Sequence, residues 1–209
     1  MLAGPLPLYW RAMLKVFVPK ERRSGETRVA VTPETVKRLI KENLEVTVEA
    51  GAGEAASFVD AAYEAAGAKL TSDLKQAYAD ADIVLKVTEA ADNPALGMHE
   101  ADALKPGAIL IGLMAPYRNA PMVKRLAAKK VTVFAMELVP RITRAQSMDV
   151  LSSQANIAGY KAVLLAAVNL PKYFPLLMTA AGTIQPARVV IMGAGVAGLS
   201  AIATARRLG

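Results

Sequence analysis

Short apolar runs alternate with amphipathic stretches along most of the chain. Lys15 to Val18 is β-branched and aromatic, which predicts a strand, and the polar loop PKERRSGET follows it. Arg28 to Val31 reads as a second strand start. Thr32 and Pro33 then predict a helix, because the threonine hydroxyl accepts from free N–H groups of the first turn and proline fits the first helical position. Val36, Leu39 and Ile40 give that helix one apolar face. Val46 to Glu49 is the next strand, ended by GAGE from Gly51. Ala61 to Ala66 and Ser72 to Ala79 are short Ala-rich helices separated by Gly67. Ile83 to Val87 is a continuous run of the kind carried by strands buried on both faces. Ala108 to Leu113 and Val131 to Met136 repeat the pattern, with a helix from Pro121 to Lys129 between them. Strands and helices alternating at this spacing predict an α/β fold with a doubly wound parallel sheet, where ligands bind at the carboxyl ends of strands.

The pattern changes after Asp149. Leu151, Ala155, Ala158, Ala162 and Leu165 fall at helical spacing, predicting a long helix to about Leu170. Its second half is apolar nearly all round, as expected of a helix buried between two domains. Pro171 and Pro175 end it, and a loop leads through Gly182 and Pro186 to a strand at Val189 to Met192. GAGVAG and the helical LSAIATARRLG complete the sequence. The expected organisation is an N-terminal α/β domain over residues 13–150, a linking helix and loop over 151–178, and an incomplete Rossmann dinucleotide-binding domain over 179–209. One strand and one helix bury no core of their own, so the second domain reads as truncated. The first twelve residues, MLAGPLPLYWRA, lack the basic start and long apolar core of a signal peptide; they read as a loosely packed extension with Trp10 outside the core.

Composition narrows the function classes. Apolar residues at 54% with 21% charged fit a globular protein and argue against disorder. The absence of cysteine excludes a disulfide framework and Cys-ligated zinc or iron–sulfur sites, and makes a reducing compartment the expectation. Mean hydropathy is positive, yet the longest uncharged apolar run, Val189 to Ala205, is short for a bilayer span and carries glycines in a nucleotide-loop pattern. A net charge of +7 invites a nucleic-acid reading, but the basic residues are scattered and the one dense cluster is Lys20, Arg22 and Arg23. An acidic or phosphate-bearing ligand accounts for the charge as well, and nucleic acid is not expected.

Two stretches carry candidate chemistry. GAGVAG matches G-x-G-x-x-G: Gly193 for the tight turn, Gly195 for approach of a pyrophosphate, Gly198 for close packing of helix on strand, with the helix N-terminus offering N–H groups to the anion. A glycine-rich packing turn is the plainer reading. The second stretch is PRITRAQSMDVLSSQANIAGY, from Pro140 to Tyr160. Asp149 stands where a helix cap belongs and Ser152 fits the same first turn, so capping explains some of it. Arg141, Arg144 and Gln146 are needed by no cap and suit a planar amide and ribose hydroxyls. Arg28 and Lys86 sit at a strand start and a strand carboxyl end, where ion pairing is as good an account as ligand binding. His99, in ADNPALGMHEAD, lies away from every predicted strand end and is not expected to be catalytic. No metal site is expected.

At these residues the chain resembles a known family. PRITRAQSMDVLSSQANIAGY followed by AAGTIQPARVVIMGAGVAGL looks like the NAD(H)-binding alpha subunit, domain I, of proton-translocating nicotinamide nucleotide transhydrogenases, and RAQSMD is specific to them. KERRSGETRVAVTPETV and VEAGAGEAASF are similar both to that family and to its relative, alanine dehydrogenase. The resemblance runs from about Met13 to Gly209.

It implies an oxidoreductase component that passes hydride between NADH and NADP⁺. The coupled proton movement is expected through a separate membrane subunit, with NADP(H) held on a partner subunit or domain. The chain would be cytoplasmic, peripheral to the inner membrane through those partners, and a homodimer. By matching positions, Arg141, Asp149 and Ser152 would hold the nicotinamide carboxamide and ribose, with Thr143 a further cofactor-binding position. Gln146 would sit between the two nucleotides, making Gln146 and Asp149 the residues nearest the chemistry. Gly193, Gly195, Val196 and Gly198 would line the pyrophosphate. Direct hydride transfer needs two positioned rings and no general acid or base. Alanine dehydrogenase is the alternative: the resemblance matches Arg28 and Lys86 to its substrate-carboxylate residues, but its histidine after the strand reading ILIGLMAPY is replaced by Met114. A non-catalytic NAD-binding module is a third reading, and these 209 residues alone are expected to bind NAD(H) weakly or not at all.

Overall fold

The computed structural model describes residues 13–209; the expectations for the first twelve residues, Trp10 included, lie outside the described residues. The chain divides into two compact units, the first ending at Leu138 and the second running Val139–Gly209.

In the first unit β1 (Leu14–Val18) leads by a polar loop to α1 (Pro33–Lys41). Thr32 caps α1 as its sequence predicts, its hydroxyl accepting from the Thr35 N–H at 3.2 Å, with Pro33 in the first position. β2 (Leu44–Glu49), α2 (Asp60–Ala65), β3 (Lys69–Thr71), α3 (Leu74–Asp80) and β4 (Ile83–Leu85) follow. A small antiparallel hairpin, β5 (Asp92–Asn93) and β6 (Met98–His99), runs into the single turn α4 (Glu100–Ala103). β7 (Ile109–Gly112), α5 (Ala120–Ala128) and β8 (Thr132–Ala135) complete the unit.

Six of these strands form one parallel sheet in the order β3-β2-β1-β4-β7-β8. The chain builds outward from β1 to β3 and then crosses to the other side at β4, so the order reverses between β1 and β4. That is the doubly wound topology expected from the alternating pattern, and it leaves a crevice beyond the carboxyl ends of β1 and β4. Alternation along β1 divides the core between the two faces. Val16 and Val18 join Val36, Val46, Val48 and Tyr63 in one buried cluster, while Phe17 joins Tyr78, Val84, Leu104 and Leu110 in the other.

Several expectations need correction. Arg28 to Val31 forms no strand: Val31 is buried and Val29 and Ala30 pack on the core, but the Val31 carbonyl is held by the Tyr63 hydroxyl at 2.9 Å instead of by a neighbouring strand. β8 is not buried on both faces, because it is the outer strand of the sheet; Phe134 is 54% exposed. His99 lies on β6 and not away from strand ends, and its Nδ1 accepts from the Ala101 N–H at 3.1 Å, so it caps α4.

Lys86, just past β4, is buried between two carboxylates. Its Nζ lies 3.4 Å from Glu21 and 3.0 Å from Glu100, and all three side chains are 1–2% exposed. Glu21 also accepts the Val87 and Thr88 N–H groups and the Thr88 hydroxyl; Glu100 accepts Ala91 N–H and the Asn93 amide. The cluster ties the loop after β1, the segment after β4 and the start of α4 to one another in a site that water scarcely reaches.

The second unit begins with a 3₁₀ turn, Thr143–Met148, followed by α6 (Val150–Asn169), an antiparallel hairpin of β9 (Leu177–Thr179) and β10 (Gly182–Ile184), and α7 (Val196–Arg207). Here α6 is not buried on every side: Gly159 and Val163 are buried, whereas Val168 is 83% exposed. Within this unit α7 covers one face of α6 and leaves the rest of its apolar surface in contact with solvent. Val189 to Met192 is extended but joins no ladder among the described residues, because no strand of this unit lies beside it. No helix of the described residues is long and apolar enough to cross a membrane, and no group of three or more metal-ligating side chains occurs among them.

Replacing Lys86 with methionine would leave two glutamates in a dry site without their counter-ion. Urea denaturation at pH 7 should show a loss of about 3–5 kcal/mol, the usual consequence of removing one partner of a buried ionic group; a loss below about 1 kcal/mol would show that the cluster is solvated or rearranges freely.

Candidate functional site

Ile142, extended, opens the 3₁₀ turn, and Ala145, buried, pins it. The turn ends at Asp149, whose backbone leaves the helical region and lets its carboxylate fold back over the start of α6. One carboxylate oxygen accepts the Ser152 N–H at 2.9 Å and the other the Ser152 hydroxyl at 2.7 Å. The Ser153 hydroxyl donates to the Asp149 carbonyl at 3.1 Å. These donors fix the cap and hold the carboxyl below its ordinary range: the Ser152 hydroxyl contributes most, then the Ser152 N–H, and the Arg141 charge adds to them. Asp149 is therefore an acceptor at neutral pH.

Pro140, Arg141, Ile142, Thr143, Gln146 and Asp149 line one cavity of about 270 Å³. The sequence-predicted residues Arg141, Thr143, Gln146 and Asp149 thus converge on a single space. Ser152 enters it only through Asp149, and Arg144 is exposed outside its lining. An arginine, an amide and a carboxylate around one hollow offer donors and acceptors to a planar amide and to hydroxyls, with Ile142 as an apolar side.

The glycine motif lies in the same unit. Gly193 has φ +107°, which favours glycine, and a Cβ on Gly198 would fall 1.9 Å from the Gly193 carbonyl oxygen. Gly195 is the cap of α7 with ordinary backbone angles, and a Cβ there would meet nothing within 4 Å. Val196 takes the first helical position and is partly exposed. The helix expected after the motif is present; the strand expected before it is extended chain without a ladder, as described above. A 12-residue helix opening on an unobstructed turn suits an anionic pyrophosphate by its free N–H groups and its dipole.

The two residues matched by resemblance to a substrate carboxylate are placed elsewhere, in the first unit. Arg28 is gripped by Glu26 through two guanidinium nitrogens, at 2.8 and 2.7 Å. Lys86 is enclosed by Glu21 and Glu100, and Met114, at the histidine position, is buried in the core. Beyond the sheet lies a cavity of about 310 Å³ lined by Arg23, Glu89, Tyr117, Arg118 and Glu137 among others. There Glu137 takes the Met114 and Ala115 N–H groups. Sequence reasoning passed over Glu137, and also Gly159, although an isolated glycine in the middle of an alanine-rich helix is a readable signal.

Comparison with known proteins follows the same lines. A family model described as alanine dehydrogenase/PNT, N-terminal domain, matches residues 17–158, and its C-terminal-domain counterpart matches residues 162–209. An NAD(P) transhydrogenase subunit alpha of Rhodospirillum rubrum is 52% identical over 196 residues, which is 94% of this chain and 51% of that protein. Alanine dehydrogenase of Mycobacterium tuberculosis is 33% identical over 199 residues, 94% of this chain and 52% of its own. The solved structure of a transhydrogenase from Sinorhizobium meliloti superposes with a TM-score of 0.87 at 48% identity, covering 93% of this chain and 54% of that one. The chain spans about half the length of the curated relatives it matches.

Because the Ser152 hydroxyl is the main donor to Asp149, Ser152→Ala should raise the Asp149 carboxyl toward its ordinary value, read by carboxyl ¹³C NMR titration. A group depressed in the folded state stabilises it above the unfolded value, near pH 4, and loses that contribution as pH falls through the folded value. The wild-type cap should therefore persist to lower pH than the variant's; identical titrations would show that the hydroxyl bond does not form in solution.

Proposed function

Because the chain belongs to the alanine dehydrogenase/PNT family, we propose that it is the NAD(H)-binding component of a proton-translocating NAD(P) transhydrogenase. The observation that carries this reading is the convergence of Arg141, Thr143, Gln146 and Asp149 on one cavity, in the unit that also holds the open Gly195 turn. Greater identity to the transhydrogenase subunit than to alanine dehydrogenase, 52% against 33%, supports the same choice.

NADH, when bound, would supply a hydride, with its bonding electrons, to NADP⁺ held by a partner subunit, giving NAD⁺ and NADPH with no proton left over. The residues of this chain have only to bind and orient. The Arg141 guanidinium would donate to a carboxamide oxygen, and the Asp149 carboxylate, oriented by its bonds to Ser152, would accept from a carboxamide N–H or a ribose hydroxyl. Gln146 offers both kinds of group at the edge where the second nucleotide would approach. Thr143 closes the same side, and Gly193, Gly195, Val196 and Gly198 form the pyrophosphate turn. Orientation of this kind is a sufficient role, since holding two reactants in an attacking geometry removes roughly 7–11 kcal/mol of barrier in favourable cases. Proton coupling, a membrane subunit and a homodimer belong to the same proposal for the whole protein.

The alanine dehydrogenase reading requires Lys86 to meet a substrate carboxylate, and the two glutamates that enclose it oppose that. Calorimetry of NADH binding to the native protein tests the proposal. Arg141→Ala removes one charge-assisted bond of about 1.5–3 kcal/mol, so affinity should fall roughly ten- to a hundredfold. Gly195→Ala should weaken NADH binding without lowering the thermal midpoint. Alanine-dependent reduction of NAD⁺ by the native protein, or NADH affinity indifferent to both substitutions, would overturn the assignment.

A further inference from the structure

Glycine inside a helix costs about 1 kcal/mol relative to alanine, yet Gly159 stands at the middle of the 20-residue α6, among alanines. The reason is its neighbour. A Cβ on Gly159 would fall 2.1 Å from the carbonyl oxygen of Ala197, in the first turn of α7. The obstacle is backbone, so no side-chain rotation relieves it. One turn away the Ser200 hydroxyl donates to the Asn156 carbonyl at 2.8 Å and fixes the same crossing. On its other side the first turn of α7 is held by Gly198, packed on the Gly193 carbonyl. Gly159 therefore touches α7 two residues after the cap at Gly195, where the glycine turn ends. Along α6 in the other direction, ten residues at 1.5 Å each place the Asp149 cap about 15 Å away.

We propose that Gly159 is a positioning residue that sets the spacing between the glycine turn of α7 and the Arg141–Asp149 loop at the head of α6. The inference rests on the assignment of both loops to one dinucleotide. α6 carries one loop and packs against the helix that carries the other, so how closely α7 lies on α6 bears on the distance between them. Pushing the helices apart moves the pyrophosphate turn relative to the nicotinamide pocket. A ligand that engages both loops is then strained, while a ligand that engages only the turn follows α7 and keeps its contacts. A residue that merely supports the fold would weaken both ligands together.

The test compares NADH with ADP, which keeps the pyrophosphate and lacks both the nicotinamide and its ribose, by calorimetry on the native protein and on Gly159→Ala and Ser200→Ala. Gly159→Ala should lower NADH affinity at least about tenfold, in line with the large cost of ångström-scale misplacement, and leave ADP affinity within about twofold. Ser200→Ala, which removes one hydrogen bond without inserting bulk, should shift the same ratio in the same direction by a smaller factor. Should Gly159→Ala fail to fold, the Ser200→Ala ratio decides. A ratio unchanged in the folded variants, or equal losses for both ligands, overturns the inference. Wild-type protein binding neither NADH nor ADP would instead overturn the functional assignment on which it stands.

Discussion

The second unit depends on how closely two helices approach. Its buried apolar cluster is small, built on Val163, Phe174 and Ala201, with Ala167, Ala187, Ile191, Ala205 and Leu208 packed around it. Alanines and one glycine bury little area each, so dispersion between close backbones has to replace side-chain bulk. The near-contact of Gly159 with Ala197 makes this possible, and the Ser200 hydroxyl adds a directed bond to it. The head of α6 is fixed in a different way, by donors to a carboxylate. Asp149 ends a 3₁₀ turn with its backbone N–H and begins a helix with its side chain, so the loop carrying Arg141 and Gln146 is tied to the head of the helix.

The first unit solves the opposite problem, how to place charge in a large apolar core. Its two clusters flank a parallel sheet whose strands carry side chains to both sides. The carboxyl ends of such strands are where ligands usually bind, and a lysine there is easily taken for a ligand group. Lys86 shows why position alone misleads: two buried carboxylates already meet its charge, and backbone N–H groups occupy much of their remaining capacity. An ammonium so enclosed offers nothing to a small carboxylate without breaking bonds that hold the loop after β1 and the start of α4 to the end of β4.

Elements with a local cause were legible in the sequence. Thr32 with Pro33 started α1 where propensity placed it, and Asp149 with Ser152 started α6. The apolar runs at β1, β2, β4 and β7 gave the sheet, because strands covered on both faces leave a dense signature. What escaped lacks such a cause. β3 is three residues, Lys69–Thr71, whose strand character comes from pairing with β2, and the β5–β6 hairpin is two residues a side. Arg28 to Val31 and Val189 to Met192 have the composition of strands, but a ladder requires a neighbour that composition does not report. The candidate site was legible as residue types. That Ser152 acts through Asp149, and that Arg144 stands apart, depended on the geometry of one turn.

The glycine motif shows how structure separates residues that a pattern treats alike. Gly193 is required by its backbone, since φ +107° strains any residue with a Cβ. Gly198 is required by packing, because a Cβ would collide with the Gly193 carbonyl. Both would be needed in a tight strand-to-helix turn that bound nothing, so neither distinguishes a nucleotide site from a packing turn. Gly195 has neither requirement: its φ of −76° is open to other residues, and among the described residues nothing stands within 4 Å of its missing side chain. In the proposed reading, a glycine that the described residues do not demand, at the mouth of a helix N-terminus, leaves room for a group that must come close to the backbone. A pyrophosphate approaching the first free N–H groups of α7 is such a group, and it gives the middle glycine a reason that the other two do not need.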